Sequence, residues 1–467
     1  MIKFEQIAKR FIKAGRNLTA DPPPRNKILA IRSVSVVEEG LRLEYFALKQ
    51  AFHIDVELSA EIVGKIKGTP YSQLEPTLTA IAIAFSPFLF KLSDFRTVKV
   101  EVGSLDAASA KFFSRFMQGG LAEFRYLQGL NPKRPITVTA ASRNECAPTR
   151  LQTEDRVLML NGGGKDTIVA GELLKLGGQP FSWVTIRPNE ARRSVVSLSG
   201  NSNSFEIGYQ LDPKIEELKA YPWGHFPHTS IVLALGLLIA QLTGARYVCA
   251  GNEHSANYGN LIFRGYEVNH QYTKSFEYEK GFSDYVERCV TPDIKVFSIL
   301  RPFHDLQLAK FFSRLTKYHD SFISCNRAIT RNAWCKDCAK CAFTALALYP
   351  FVGAEGIARI FGENVINRPA IRRHIQDLVR EGVKPWECVG TIDENRLALS
   401  MLLQANPDLE FKELPRRSDL VRDLHGFDAS GCYQRLIRQT SRDHGIPGDV
   451  KVKLNHALEA LGDPLIA

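Results

Sequence analysis

The stretch 157–167, VLMLNGGGKDT, constrains this chain more than any other. Four residues make a short buried-strand pattern, three glycines follow, and an apolar helical pattern runs through 167–176. A strand that enters a helix through consecutive glycines makes a βα turn whose backbone N–H groups can approach an anion closely. The helix N-terminus adds unsatisfied donors and the positive end of its dipole. Gly162, Gly163 and Gly164 are therefore candidate phosphate-binding residues. Lys165 adds a cation, Asp166 can hold a magnesium ion, and Thr167 offers a hydroxyl or caps the helix. The pattern is neither a Walker loop nor GxGxxG, because its glycine spacing differs from both.

Strands and helices alternate around this turn. Strand patterns at 156–160, 180–186, 205–210 and 245–250 are separated by helical ones at 167–176 and 229–243. That order implies an α/β core with a doubly wound parallel sheet. Upstream, 1–150 reads as an α+β domain, with strand-like alternation at 33–37, 41–48, 54–58 and 97–102 and apolar helical stretches at 80–92 and 107–130. Basic residues outnumber acidic ones by 8 there. The segment 131–135, NPKRP, and the polar stretch beyond it read as a linker. Residues 351–467 read as a helical region without a catalytic cluster. The expected division is thus 1–150, 151–350 and 351–467.

At the N-terminus, Phe4, Ile7 and Phe11 fall on one helical face interrupted by charges, which predicts an amphipathic surface helix rather than a secretory signal. The longest apolar run, IVLALGLLIA at 231–240, has about half the residues a membrane span needs. A buried helix is expected there, and no membrane partner. Net charge is +10 and the pI about 9.1. This favours anionic partners, either nucleic acid or phosphorylated small molecules. Nine cysteines in a chain without a signal segment predict reduced thiols and a cytoplasmic location.

Four of those cysteines, Cys325, Cys335, Cys338 and Cys341, lie within 17 residues in the pattern C-x9-C-x2-C-x2-C. Four thiolates at such spacing can close a tetrahedron around a metal, with structural zinc favoured over an iron–sulfur cluster. Between the two signals, GNEHSANYGN at 251–260 follows a strand directly. Polar residues at the C-terminal end of a parallel strand sit where α/β sheets bind ligands. Glu253, Asn257 and Asn260 are expected to bind substrate, and His254 is a third choice for proton transfer. Next, 269–281 carries His270 and Lys274, four residues apart and on one face if helical. Either can exchange a proton with a substrate carbon. His225 and His228 are expected to border the next helix and to be structural.

The glycine turn resembles the pyrophosphate loop (PP-loop) of the ATP pyrophosphatase superfamily, SGGxDS. Gly162 stands at its first serine, so backbone donors must do more, and Thr167 stands at the last. The resemblance implies the adenine nucleotide alpha hydrolase-like fold and cleavage of ATP between the α- and β-phosphates. The cysteine cluster is similar to one that follows the PP-loop domain in 7-cyano-7-deazaguanine synthases, with a first gap one residue longer. The set of PP-loop, GNEHSANYGN, HQYTKSFE and SCN…WCKDCAKCAF, between a motif-free N-terminal domain and a helical tail, resembles the UDP-N-acetylmuramoyl-L-alanyl-L-glutamate epimerase family of peptidoglycan synthesis.

That resemblance implies an ATP- and magnesium-dependent isomerase acting on a UDP-sugar peptide, with AMP and pyrophosphate as products. It also implies roles in cell-wall biogenesis, cell shape and division. The acid/base pair stays open among His270, Lys274 and His254. The rival reading is a PP-loop enzyme that modifies tRNA or a nucleobase, which the basic charge also fits. The chain carries no RNA-binding signature or long basic run, so no nucleic-acid partner is expected. Oligomeric state is not written in the sequence.

Overall fold

The computed structural model describes residues 27–142, 145–221, 224–328, 331–382, 384–411 and 413–466. The amphipathic segment expected around Phe4, Ile7 and Phe11 lies outside them.

The strands are β1 (Ile28–Val37), β2 (Gly40–Ala47), β3 (Gln50–Glu57), β4 (Thr97–Ser104), β5 (Thr137–Ser142), β6 (Glu154–Leu160), β7 (Phe181–Ile186), β8 (Ser204–Leu211), β9 (Ala245–Ala250), β10 (Leu261–Phe263), β11 (Tyr266–Val268) and β12 (Lys295–Ser298). Ten of them form one sheet in the order β12-β9-β6-β7-β8-β3-β2-β1-β4-β5. The half from β12 to β8 is parallel throughout. β3 then joins β8 antiparallel, pairing Ile54 with Leu211 and Glu57 with Gly208. The N-terminal strands therefore extend the same sheet rather than forming a second one.

The parallel half is covered on both faces, as its continuous apolar runs require. Along β6, Val157 and Met159 join one buried cluster while Leu158 and Leu160 join the other. The first cluster includes helices Lys165–Leu176, Asp305–Ser313 and Ala339–Phe361. The second includes His228–Thr243 and Tyr71–Phe85. The chain moves from β6 outward through β7 and β8, then returns to β9 on the other side of β6. This reversal opens a crevice at the C-terminal ends of β6 and β9, where open α/β sheets bind ligands.

Three expectations are corrected. The polar stretch after 135 is not merely a linker, because Thr137–Ser142 forms β5 and pairs parallel with β4. Its exposed residues hide the strand, since only Val138 is fully buried. Two helical segments reach membrane-spanning length and apolarity, Tyr71–Lys91 and Ala339–Phe361, although polar residues interrupt both. More than half of each is buried within the fold, and core packing accounts for their composition. Finally, the thiols are not all reduced. Cys146 and Cys289 form a disulfide. The fold brings them together by running 145–151 alongside 286–293, with Thr149 N–H donating to the Val290 carbonyl at 2.9 Å.

Candidate active site

The glycine turn sits in the expected crevice. Asn161 at the end of β6 is buried, and its amide donates to Thr185 Oγ1 and the Arg192 carbonyl. Its own oxygen accepts the Gly163 N–H at 3.0 Å. Thr167 Oγ1 accepts the Gly162 N–H at 3.0 Å. Gly163 has φ +82°, and a Cβ there would lie 2.9 Å from Arg192 Cγ, so only glycine fits without strain. Two of the three glycine N–H groups are thus spent on shaping the loop. The helix Lys165–Leu176 then starts at Gly164 with no side-chain cap, which leaves its first donors for an anion.

A cavity of about 250 Å³ lies against this turn. Gly162, Gly164, Asp166 and Thr167 line one side, with Arg192 beside them. Arg192 Nε is buried without a hydrogen-bond partner, and a guanidinium so placed fits an anionic ligand. The start of the next helix, His228 and Thr229, closes another side. His228 is that helix's first residue, as expected, and burial lowers its pKa to about 4.

Lys165 is not in the cavity wall. It is buried beneath the turn, donating to Asp305 Oδ1 at 2.5 Å and to Asp166. Burial opposes its charge, but the two carboxylates outweigh burial and raise its pKa. Glu253 completes this buried group. Burial, then the charges of Asp305 and Asp166, raise its pKa to about 7, and its Oε2 has no partner. Its neighbour Asn252 lines the cavity, and a carboxyl poised near neutrality beside a cavity is a candidate functional group.

The loop bearing Glu253 and the turn bearing Lys274 are tied together by Arg301, which is fully buried. Its guanidinium donates to the carbonyls of Glu253 and Lys274 and to Glu279 Oε2, at 2.8, 2.6 and 2.8 Å. Sequence reasoning missed this residue, since a lone arginine has no pattern to announce it. Asn257 and Asn260 were expected to bind substrate. Asn257 Oδ1 accepts the Phe276 N–H, while Asn260 is buried between the His270 N–H and the carbonyls of Lys384 and Pro385. The Asn257 oxygen and the Asn260 amide thus hold loops, and Asn260 also lines a second cavity.

The three proton-transfer candidates separate. Lys274 lines the cavity, and its Nζ lies 3.5 Å from Cys388 Sγ. Burial opposes its charge, yet Cys388, Glu253 and Asp166 outweigh burial and raise its pKa. His270 is buried with Nδ1 2.5 Å from Glu123 Oε2, and although burial opposes protonation, Glu123 and Cys388 raise it to about 10. Both are therefore cations near neutrality, fitted to donate a proton more than to take one. They approach the same thiol from a turn and 3-10 segment rather than from an α-helix. His254 lies apart, in the wall of that second cavity, of about 610 Å³, with Tyr258 and His304. Burial lowers its pKa to about 4.

The four clustered cysteines do converge. Their sulfurs all lie within 4.8 Å of one another, with Cys335 and Cys341 at 3.7 Å. Tetrahedral bonds of about 2.3 Å would set sulfurs roughly 3.8 Å apart, so the set fits zinc. The Cys335 and Cys341 N–H groups donate to the sulfurs of Cys325 and Cys338, as amides do around metal thiolates. Beside Cys325, Ser324 and Asn326 are part of the cavity wall. Sequence reasoning also passed over Cys388, a scattered thiol in the helical tail that reaches the same cavity.

Comparison with known proteins gives two family matches: the MurL N-terminal domain over residues 31–299 and the MurL C-terminal domain over 321–422. Three curated relatives carry the name UDP-N-acetyl-alpha-D-muramoyl-L-alanyl-L-glutamate epimerase. The one from Xanthomonas oryzae pv. oryzae is 32% identical over 387 residues, covering 79% of this chain and 84% of the relative. That from Salinispora tropica is 35% identical, covering 61% and 64%. That from a Micromonospora species is 32% identical, covering 64% and 69%.

Proposed function

This chain belongs to the MurL family of glutamate epimerases, and from that premise we propose that it converts the terminal L-glutamate of UDP-N-acetylmuramoyl-L-alanyl-L-glutamate to D-glutamate, consuming ATP and releasing AMP and pyrophosphate. The observation that carries the ATP-dependent reading is a convergence in one cavity. An uncapped helix start after three glycines, the Asp166 carboxylate, Arg192 and the Lys274 ammonium all line it.

The chemistry explains the need for ATP. A free carboxylate is already anionic, so removing the adjacent α-proton would put two negative charges on one small unit. Attaching AMP to the α-carboxylate neutralises it and makes its carbonyl an electron sink. The α-proton is then far more acidic, a base removes it, a proton returns from the other face, and water cleaves the adenylate. The helix start and Arg192 would grip the departing pyrophosphate. Asp166 would hold magnesium, which supplies further charge neutralisation there. Arg301 holds the loops of Glu253 and Lys274 together through their main-chain carbonyls, and Lys274 would bring a fixed cation toward the reacting end. The four cysteines would hold a structural zinc that fixes the wall around Ser324.

On this reading the substrate is a small anionic UDP-linked wall precursor, and the reaction belongs in the cytoplasm. The rival reading, a tRNA- or nucleobase-modifying enzyme, is not favoured by the relatives. The test is incubation with ATP, magnesium and UDP-N-acetylmuramoyl-L-alanyl-L-glutamate in heavy water. AMP, a D-glutamyl product and deuterium at its α-carbon are expected. AMP formed only with tRNA, or D-glutamyl product formed without ATP, overturns the proposal.

A further inference from the structure

Cys388 belongs to none of the motifs, yet it stands in the wall of the cavity that holds the glycine turn. It lies in the tail between helices Pro369–Val379 and Ile392–Ala405. Three cationic side chains surround it. Lys274 Nζ is 3.5 Å from its sulfur, the His270 side chain faces it, and Lys340 Nζ donates to its backbone carbonyl. His270 is held in place from behind by Glu123 at 2.5 Å. The four metal-type thiols form a separate group, so Cys388 is free of that cluster.

Resting on the epimerase reading above, we propose that Cys388 is the base that removes the glutamyl α-proton on one face of the substrate. In this step the Cα–H bond breaks and its electron pair moves into the activated carboxyl group, giving an enolate, while the proton goes to sulfur. A proton from solvent then enters the opposite face of the carbon. The Cys388 thiol returns its proton to solvent, and the thiolate is restored. Lys274 and His270 act as positioning residues that hold the sulfur as an anion.

The electrostatics agree with the geometry. Burial alone would raise the thiol's pKa, but Lys274, His270 and Lys340 more than offset burial and bring it down to about 6. The interaction that lowers the thiol also raises His270, to about 10, so near neutrality thiolate and imidazolium are the favoured forms of this pair. The thiolate is thus the abundant base and the two neighbours are the abundant cations.

The experiment compares the full-length protein with Cys388→Ser and Cys388→Ala, reading substrate-dependent AMP release and α-deuterium incorporation separately. We expect deuterium incorporation to be slowed by roughly 10²–10⁴-fold, and by at least tenfold more than AMP release. Incorporation by either variant within threefold of the parent overturns the assignment. Absence of AMP release and epimerisation in the parent itself overturns the reading beneath it, which is a different result. A probe of the unmutated protein covers variants that do not fold. Iodoacetamide labelling followed by peptide mapping should modify Cys388 with an apparent pKa near 6. ATP with substrate should protect it, and deuterium incorporation should fall in step with labelling. Full labelling of Cys388 with undiminished incorporation overturns the proposal.

Discussion

The two sides of the cavity are built by different means. On one side, seven consecutive residues from Asn161 to Thr167 shape a turn through their own backbone and short side chains. On the other, Lys274 and Cys388 meet across 114 residues of chain, with His270 fixed by Glu123 from 147 residues away. The first side is a local conformation, and its chemistry is that of N–H donors at a helix start. The second is a tertiary assembly whose chemistry, a thiol ionised by cations, exists only when several elements pack together. The lesson is that anion binding can be encoded contiguously, whereas tuning a pKa requires neighbours that the sequence does not keep adjacent.

Variants can pull the two sides apart. The largest effect is expected for Asp166→Ala on the contiguous side: AMP release should fall by roughly 10³-fold while the fold persists, measured by pyrophosphate release and calorimetry. Near-normal turnover would remove that side from the chemistry. Stripping metal with a chelator should harm both sides, because Ser324 in the wall adjoins Cys325 while Lys340, which holds the Cys388 carbonyl, adjoins Cys341. The melting temperature and both activities should drop, and elemental analysis of the untreated protein should find about one zinc per chain. A stable, active, metal-free protein would refute the zinc assignment.

Lys274→Gln addresses the assembled side alone. A base must be deprotonated to act, so losing the ammonium raises the Cys388 pKa from about 6 and moves the acid limb of kcat/KM upward by about 1–2 units. Activity should fall most on the acidic side, and an unmoved limb would uncouple Lys274 from the thiol. The glycines give the smallest and most local contrast. Gly163→Ala, at φ +82° and against Arg192, should cost about 1–3 kcal/mol in denaturant unfolding. Gly162→Ser should leave stability unchanged, since its Cβ would meet only Thr167 Oγ1, at 3.4 Å. Equal losses in the two variants would mean the turn is not shaped as described.

Much of the fold was legible because its signals are periodic. The strands β6, β7 and β9 and the helices after the glycine turn and at His228–Thr243 follow continuous apolar patterns of the right length. β5 escaped because its exposed edge position leaves one buried residue and a polar surface. The join between β3 and β8 escaped because strand pairing across 150 residues leaves no mark in either strand. The same division holds in the site. Glu253 stands out as a candidate from its place after β9, while Arg301, Glu123 and Cys388 carry no local context that separates them from ordinary residues.

By itself, the sequence determined a strand–glycine–helix turn able to hold an anion, a set of four thiols spaced for a metal, and an α/β core to carry them. Each of these depends on residues close in the chain, whose geometry backbone stereochemistry fixes. Only the tertiary structure decided that Lys165 is buried between two aspartates instead of facing the cavity, that His270 and Lys274 are cations, and that a tail cysteine stands between them. Those outcomes depend on burial and on charges a few ångströms away in space, and chain separation says nothing about either.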